Sequence, residues 1–236
     1  MRYIEKQTSE PECLTEYKDK CRELGVPEPL LYIHFNRTSE LKRVLCAEQH
    51  NVCCYCQRSV KGYRIEHSYP EKSYDQQKSE CLQLDYTNMF AACIDSQGLS
   101  PDMQYCDVAK GNTIIREFIK ERKCQTFFRY ISSGEIIPNG QFYTLKEYEE
   151  SDLLNQDEKD ALDAIKVLNL NCHSLVEDRK SCINGLLELI TKRTKEELKK
   201  TITDWLSSDS YPPYIELRIQ YLKKYLSAEI KVYGHE

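Results

Sequence analysis

Apolar positions recur at helical spacing near both ends of the chain and lose that rhythm in the middle. Cys13, Leu14, Tyr17, Cys21 and Leu24 predict a helix over 12–24, closed by Gly25 and Pro27. A second helix is predicted from about Ser39 to Gln49, with Leu41, Val44 and Leu45 inward and Thr38 or Ser39 as its cap. Beyond about residue 152 the rhythm returns in Ala161, Leu162, Ile165 and Leu168, then in Leu175, Ile183, Leu186 and Ile190, then in Leu198, Ile202 and Leu206. After Tyr211-Pro212-Pro213 a last helix carries Ile215, Ile219, Leu222 and Leu226, so this half reads as a helical bundle.

Between 52 and 112 the periodicity is poor and Tyr, Ser, Asp and Cys are frequent. A metal, rather than a large apolar core, is expected to organise such a segment. GYRIEH at 62–67 alternates like a short strand, and a helix is expected to begin near Asp107 and continue through Ile114, Ile115, Phe118 and Ile119. CQTFFRYISSGEIIP at 124–138 reads as a hairpin with Ser-Gly at the turn. The prediction is therefore an α+β, mostly helical protein in three parts: a helical platform over 1–50, a metal-organised module over 51–140 and a helical region over 141–236.

Charge and cysteine usage sharpen this picture. The N-terminus has no apolar signal-type core and no run approaches the roughly 18 apolar residues of a membrane span, so a cytoplasmic location is expected, with no membrane partner. In a reducing compartment the twelve cysteines are not expected to form a disulfide framework, and their clustering points to a metal. Cys13, Cys21, Cys46, Cys124, Cys172 and Cys182 are scattered and read as small buried apolar groups. The net charge of -5 disfavours a general phosphate-binding surface, so any nucleic-acid surface must be local or supplied by a partner. Lys110, Arg116, Lys120, Arg122 and Lys123 form one candidate patch. Lys192, Arg193, Lys195, Lys199 and Lys200, interleaved with Glu196 and Glu197, read as a solvated helix face.

The Cys53-x-x-Cys56 turn puts two thiols on one side of a knuckle, and Zn2+ then needs two more ligands. Cys93 and Cys106 are the expected second pair, with IDSQGLSPDMQY looped out between them; Cys54 and Cys81 compete for those positions. Redox chemistry at Cys53 and Cys56 is the alternative, but it calls for a thioredoxin-like strand-to-helix context that the sequence lacks.

Inside this four-cysteine frame lies Glu66-His67. Hydrolysis of a phosphodiester needs a base to activate water and a cation to neutralise charge on the phosphate and the leaving 3′ oxygen. A neutral His67 suits the first task, and carboxylates such as Glu66 and Asp107 suit a hard cation, Mg2+ or Mn2+. Asn88 is placed to hold the intervening loop by bonding backbone or the His67 ring, and Lys110, one turn from Asp107, to meet a phosphate. Alone, a Glu-His pair is an ordinary surface feature; its place between the two halves of the frame gives it weight. His34, His50, His173 and His235 have no such setting.

With these residues in place the sequence resembles the HNH endonucleases, and more closely their retron-associated and Septu-type (PtuB-like) branch. The likeness runs from MRYIEK through CCYC, IEHSYP, LDYTNMFAAC and CDVAKGN to FRYISSGEIIP and AIKVLNLN, with Leu175 and Arg179 downstream. It implies a ββα-metal fold, His67 as base, Glu66 and Asp107 as ligands of the catalytic metal, Asn88 in support, and structural zinc on Cys53, Cys56, Cys93 and Cys106. Two positions depart from the broad pattern: Asp107 stands where His or Asn is usual, and Glu66 where Asp is usual. The resemblance further implies a PtuA-like ABC-type ATPase as partner in antiphage defence, a retron reverse transcriptase and its msDNA in retron-associated systems, and phage DNA or host tRNA as substrate. The chain has no Walker lysine motif, so ATP chemistry must reside elsewhere; the helical second half is the natural candidate for docking that partner, and equally could be only a core. The competing expectation, suggested by the acidic charge and Asp107, is a zinc-organised binding subunit without catalysis.

Overall fold

The computed structural model describes residues 1–26, 32, 34–60, 62–70 and 82–228. Cys81 and His235 lie outside the described residues. The chain opens with two helices, α1 (Glu12–Glu23) and α2 (Thr38–Glu48), close to the predicted bounds. The cap of α2 differs from expectation: Arg37 occupies that position and makes no side-chain capping bond. Its guanidinium is drawn instead to Glu16 and Glu40, tying α2 to α1.

Strands β1 (Tyr63–His67) and β2 (Met89–Cys93) pair antiparallel, with Tyr63 opposite Cys93 and His67 opposite Met89. Side chains alternate across such a ribbon. Ile65, Met89 and Ala91 face a cluster built from Leu14, Leu41, Leu45 and Tyr86, while Phe90 and Ala92 face the larger core. The ribbon is thus packed on both sides, which explains the unbroken apolar run MFAAC in β2.

The helix expected from Asp107 to Ile119 is cut to one turn, α3 (Asp107–Lys110). Gly111 takes a positive φ of 51° and donates its N–H back to the Asp107 carbonyl, closing the turn. Ile115, Phe118 and Ile119 are still buried, through a loop and a short 3-10 turn.

Strands β3 (Phe128–Tyr130) and β4 (Ile136–Pro138) form the predicted hairpin, with Gly134 at φ 86° in its turn. Five helices follow: α4 (Leu145–Glu150), α5 (Gln156–Val167), α6 (His173–Lys192), α7 (Lys195–Leu206) and α8 (Ile215–Ala228). Capping boxes start three of them, at Thr144 with Glu147, Asn155 with Glu158 and Thr194 with Glu197. One core joins Phe90, Tyr105 and Phe118 of the middle segment to Leu168, Leu186 and Leu222 of the helical region. The fold is α+β, with helix the larger share and two small antiparallel sheets. Among the described residues no helix is long and apolar enough to cross a membrane.

Candidate metal centre and carboxylate site

Cys53, Cys56, Cys93 and Cys106 converge in the interior, all four Sγ atoms lying within 4.8 Å of one another. Cys53 and Cys106 are 3.8 Å apart at Sγ, Cys56 and Cys93 3.7 Å. A tetrahedron with Zn–S bonds of about 2.3 Å has edges of about 3.8 Å, whereas a disulfide is about 2.05 Å long. The dimensions and the donor chemistry therefore fit a zinc-type ion, and all four cysteines are unbridged.

Local backbone geometry makes this cluster. The Cys53 N–H donates to the Arg58 carbonyl, the Gln57 N–H returns to the Cys53 carbonyl, and Gln57 adopts φ 64°, which folds the Cys-x-x-Cys segment into a tight knuckle. Cys93 ends β2, and its backbone N–H points at the Cys53 sulfur at 3.4 Å. Cys106, at φ 58°, precedes α3. Burial opposes ionisation of Cys53, yet the thiols of Cys106, Cys54, Cys56 and Cys93 around it hold it well below the usual thiol range. Burial drives Cys106 the other way, a conflict that a bound cation removes by deprotonating its thiol ligands. Cys54, the competing ligand, stays outside the group; its thiol is pushed up by burial and its N–H is used on Ala91.

Beside this centre the structure brings together Glu66, Asp107 and Lys110. Glu66 Oε1 accepts from the Tyr55 hydroxyl at 2.7 Å and meets Lys110 Nζ at 2.8 Å. Asp107 Oδ2 pairs with Arg64 at 2.8 Å. The Glu66 carboxyl is raised to about 8, first by burial and then by its hydrogen bond with Asp107, while Lys110 pulls in the opposite direction. Glu66 and Asp107 thus form a carboxyl pair, with Lys110 and Arg64 as its counter-charges. Among the described residues no third acidic, His or Cys ligand joins them.

Lys110 departs from its expected role at the surface. It is only 2% exposed, and its ammonium is held by Glu66 and the His67 carbonyl. The one-turn helix folds it back over the ribbon instead of extending it toward solvent.

His67 follows Glu66 in β1, so its ring projects to the opposite face of the ribbon, where it meets the Tyr32 ring edge-on at 4.8 Å. Its Nε2 is 3.0 Å from the Gln83 carbonyl oxygen. A carbonyl only accepts, so Nε2 carries a proton and donates it there. Asn88, fully buried, holds the neighbouring loop: its Oδ1 accepts from Ser68 Oγ and the Tyr69 N–H, and its Nδ2 donates to the Tyr69 and Leu82 carbonyls. Of the two expected uses of Asn88, these bonds are the one that shapes the loop.

Sequence reasoning did not single out Tyr55, Arg64 or Gln83. Arg64 was within reach, since it lies two residues before Glu66 and shares its strand face. Gln83 acts through its backbone, which leaves no signature in side-chain type. The first basic patch is largely self-neutralised: Arg116 binds Glu121, Asp157 and Asp160, and Lys120 binds Glu117, while Arg122 remains 81% exposed. In the second cluster Lys192 and Lys199 form exposed ion pairs with Glu188 and Glu196, as a solvated helix face requires.

No protein-family model matches the chain, and a search of curated proteins finds no match.

Proposed function

We propose that this chain is a metal-dependent endonuclease of the HNH type, hydrolysing phosphodiester bonds of nucleic acid. The observation that carries the reading is the pair of carboxyl groups, Glu66 and Asp107, gathered beside the cysteine centre with His67 next in the strand. His67, its Nε2–H held by the Gln83 carbonyl on a loop that Asn88 braces, would serve as the base. Glu66 and Asp107 would hold Mg2+ or Mn2+, which supplies charge neutralisation at the phosphate and the leaving oxygen. Cys53, Cys56, Cys93 and Cys106 would hold structural zinc, fixing the Tyr63–Cys93 end of the ribbon. The sequence resemblance extends the proposal to phage DNA or host tRNA as substrate, to a PtuA-like ATPase partner and to a cytoplasmic setting.

His67→Ala is the direct test. Cleavage with Mn2+, assayed with and without the ATPase, is expected to disappear while zinc content and folding stay as in the native chain. Undiminished cleavage by the purified variant would remove His67 from the role of base.

A second reading, a zinc-organised binding subunit without catalysis, has its own observation. Lys110 and Arg64 supply counter-charges to Glu66 and Asp107 from the protein itself. Calorimetric titration of the zinc-loaded chain with Mn2+ separates the two readings, because the binding subunit takes up no second ion.

A further inference from the structure

We infer that Tyr55 is a positioning residue for the carboxylate pair, the element through which the four-cysteine centre sets the orientation of Glu66. The inference rests on the nuclease reading and goes beyond it by tying the two metal sites together through one side chain.

Tyr55 lies between Cys53 and Cys56, so the knuckle that binds the structural ion also fixes the tyrosine backbone. The side chain is 3% exposed, and its hydroxyl is 2.7 Å from Glu66 Oε1. The phenol O–H donates to that carboxyl oxygen. Such a charge-assisted O–H···O contact is short and directional. Lys110 Nζ reaches the same oxygen. Two donors on Oε1, one from the knuckle and one from α3, fix the carboxylate plane. Glu66 sits in β1 and Asp107 at the start of α3, immediately after the ligand Cys106. Both carboxylates are therefore one step removed from zinc ligands: Asp107 through the chain, Glu66 through the Tyr55 hydroxyl. Partners that orient a ligand in this way typically contribute ten- to a hundredfold to metal affinity or activity.

The test uses Tyr55→Phe in the full-length, zinc-loaded chain, with Tyr105→Phe as comparison. Tyr105 is also buried beside the cysteine centre, but its hydroxyl serves Arg58. Mn2+ affinity by calorimetry is expected to fall roughly tenfold to a hundredfold in Tyr55→Phe, with zinc stoichiometry unchanged, and to stay at the native value in Tyr105→Phe. In cleavage assays kcat is expected to drop while KM for the nucleic acid holds. Native Mn2+ affinity in Tyr55→Phe would overturn the inference and leave the nuclease reading intact. Loss of zinc from Tyr55→Phe, or equal weakening in both variants, would assign the tyrosine to the knuckle itself and overturn it too. If the unmutated chain neither binds Mn2+ nor cleaves, the nuclease reading fails and takes this inference with it.

Discussion

At the scale of single residues the decisive feature is the sealed Lys110–Glu66 pair, with side chains 1% and 3% exposed. With its carboxyl raised to about 8, Glu66 is charged mainly above that pH, where removing Lys110 strands the charge in a low-dielectric interior. Lys110→Met is therefore expected to destabilise the fold by about 3–5 kcal/mol in urea titrations above pH 8 and by less at neutral pH, whereas Lys110→Met combined with Glu66→Leu recovers most of that loss. A double variant as unstable as the single one would show that the pair is not the source of the effect. Asn88→Ala removes four hydrogen bonds from a buried loop. It should cost about 1–3 kcal/mol and lower cleavage as well, since the Leu82–Gln83 segment that orients His67 loses its anchor. Cleavage at the native rate in this variant would free Asn88 from any part in positioning the base. The residue types at this site were legible in the sequence because each carries its chemistry in its side chain. The burial of Lys110 was not, since it depends on where α3 stops and what it packs over.

At the scale of elements, what propensity predicted and what the fold adopted part company after Lys110. The run Ile114, Ile115, Phe118, Ile119 has helical spacing, but Gly111 at positive φ ends the helix before that run begins. Ile115, Phe118 and Ile119 are then buried by a loop and a short 3-10 turn whose period carries no signal, while Ile114 stays exposed. The helices of the second half were legible because their capping residues and apolar faces agree. The β3–β4 turn offers a test at this level. Gly134 has φ 86°, and a Cβ built on it would lie 2.4 Å from the Val176 carbonyl oxygen of α6. Arg179, buried in the same helix, bonds the Gly134 carbonyl from the other side, together with Leu170 and Asn171. Gly25 also has positive φ, yet nothing lies within 4 Å of its added Cβ. Gly25→Ala should cost only the conformational part, about 1–2 kcal/mol. Gly134→Ala should cost clearly more, read as the larger fall in melting temperature. Equal shifts would mean that the hairpin moves away from α6 without penalty.

At the scale of the whole molecule the question is whether the cysteine centre stabilises its own segment or the entire chain. Three connections run from the centre into the helical region. The Cys106 N–H donates to the Leu168 carbonyl at the end of α5, and the Gln57 carbonyl accepts from the Tyr214 N–H ahead of α8. Arg58, next to the knuckle, reaches Asp178 of α6 and the Tyr214 hydroxyl. The apolar core is continuous across the same boundary. Structural zinc in small metal-organised peptides contributes an apparent 10–16 kcal/mol, while whole domains are stable by only about 5–15 kcal/mol. An ion of that weight, held by the four thiols and wired into both halves, would set the stability of all of it. Chelation of the zinc-loaded protein should therefore abolish tertiary structure and helical circular dichroism in one transition. The four centre thiols should become reactive to a thiol probe in that same transition, together with Cys124 and Cys172, which are buried elsewhere in the shared core. Loss of zinc that exposes Cys53, Cys56, Cys93 and Cys106 alone, with the helical signal and Trp205 fluorescence unchanged, would divide the molecule into a metal-dependent module and an independent bundle. The shared core and the bonds between the halves argue for the single transition, because the helices that would have to survive alone bury their inner faces against the segment the metal holds.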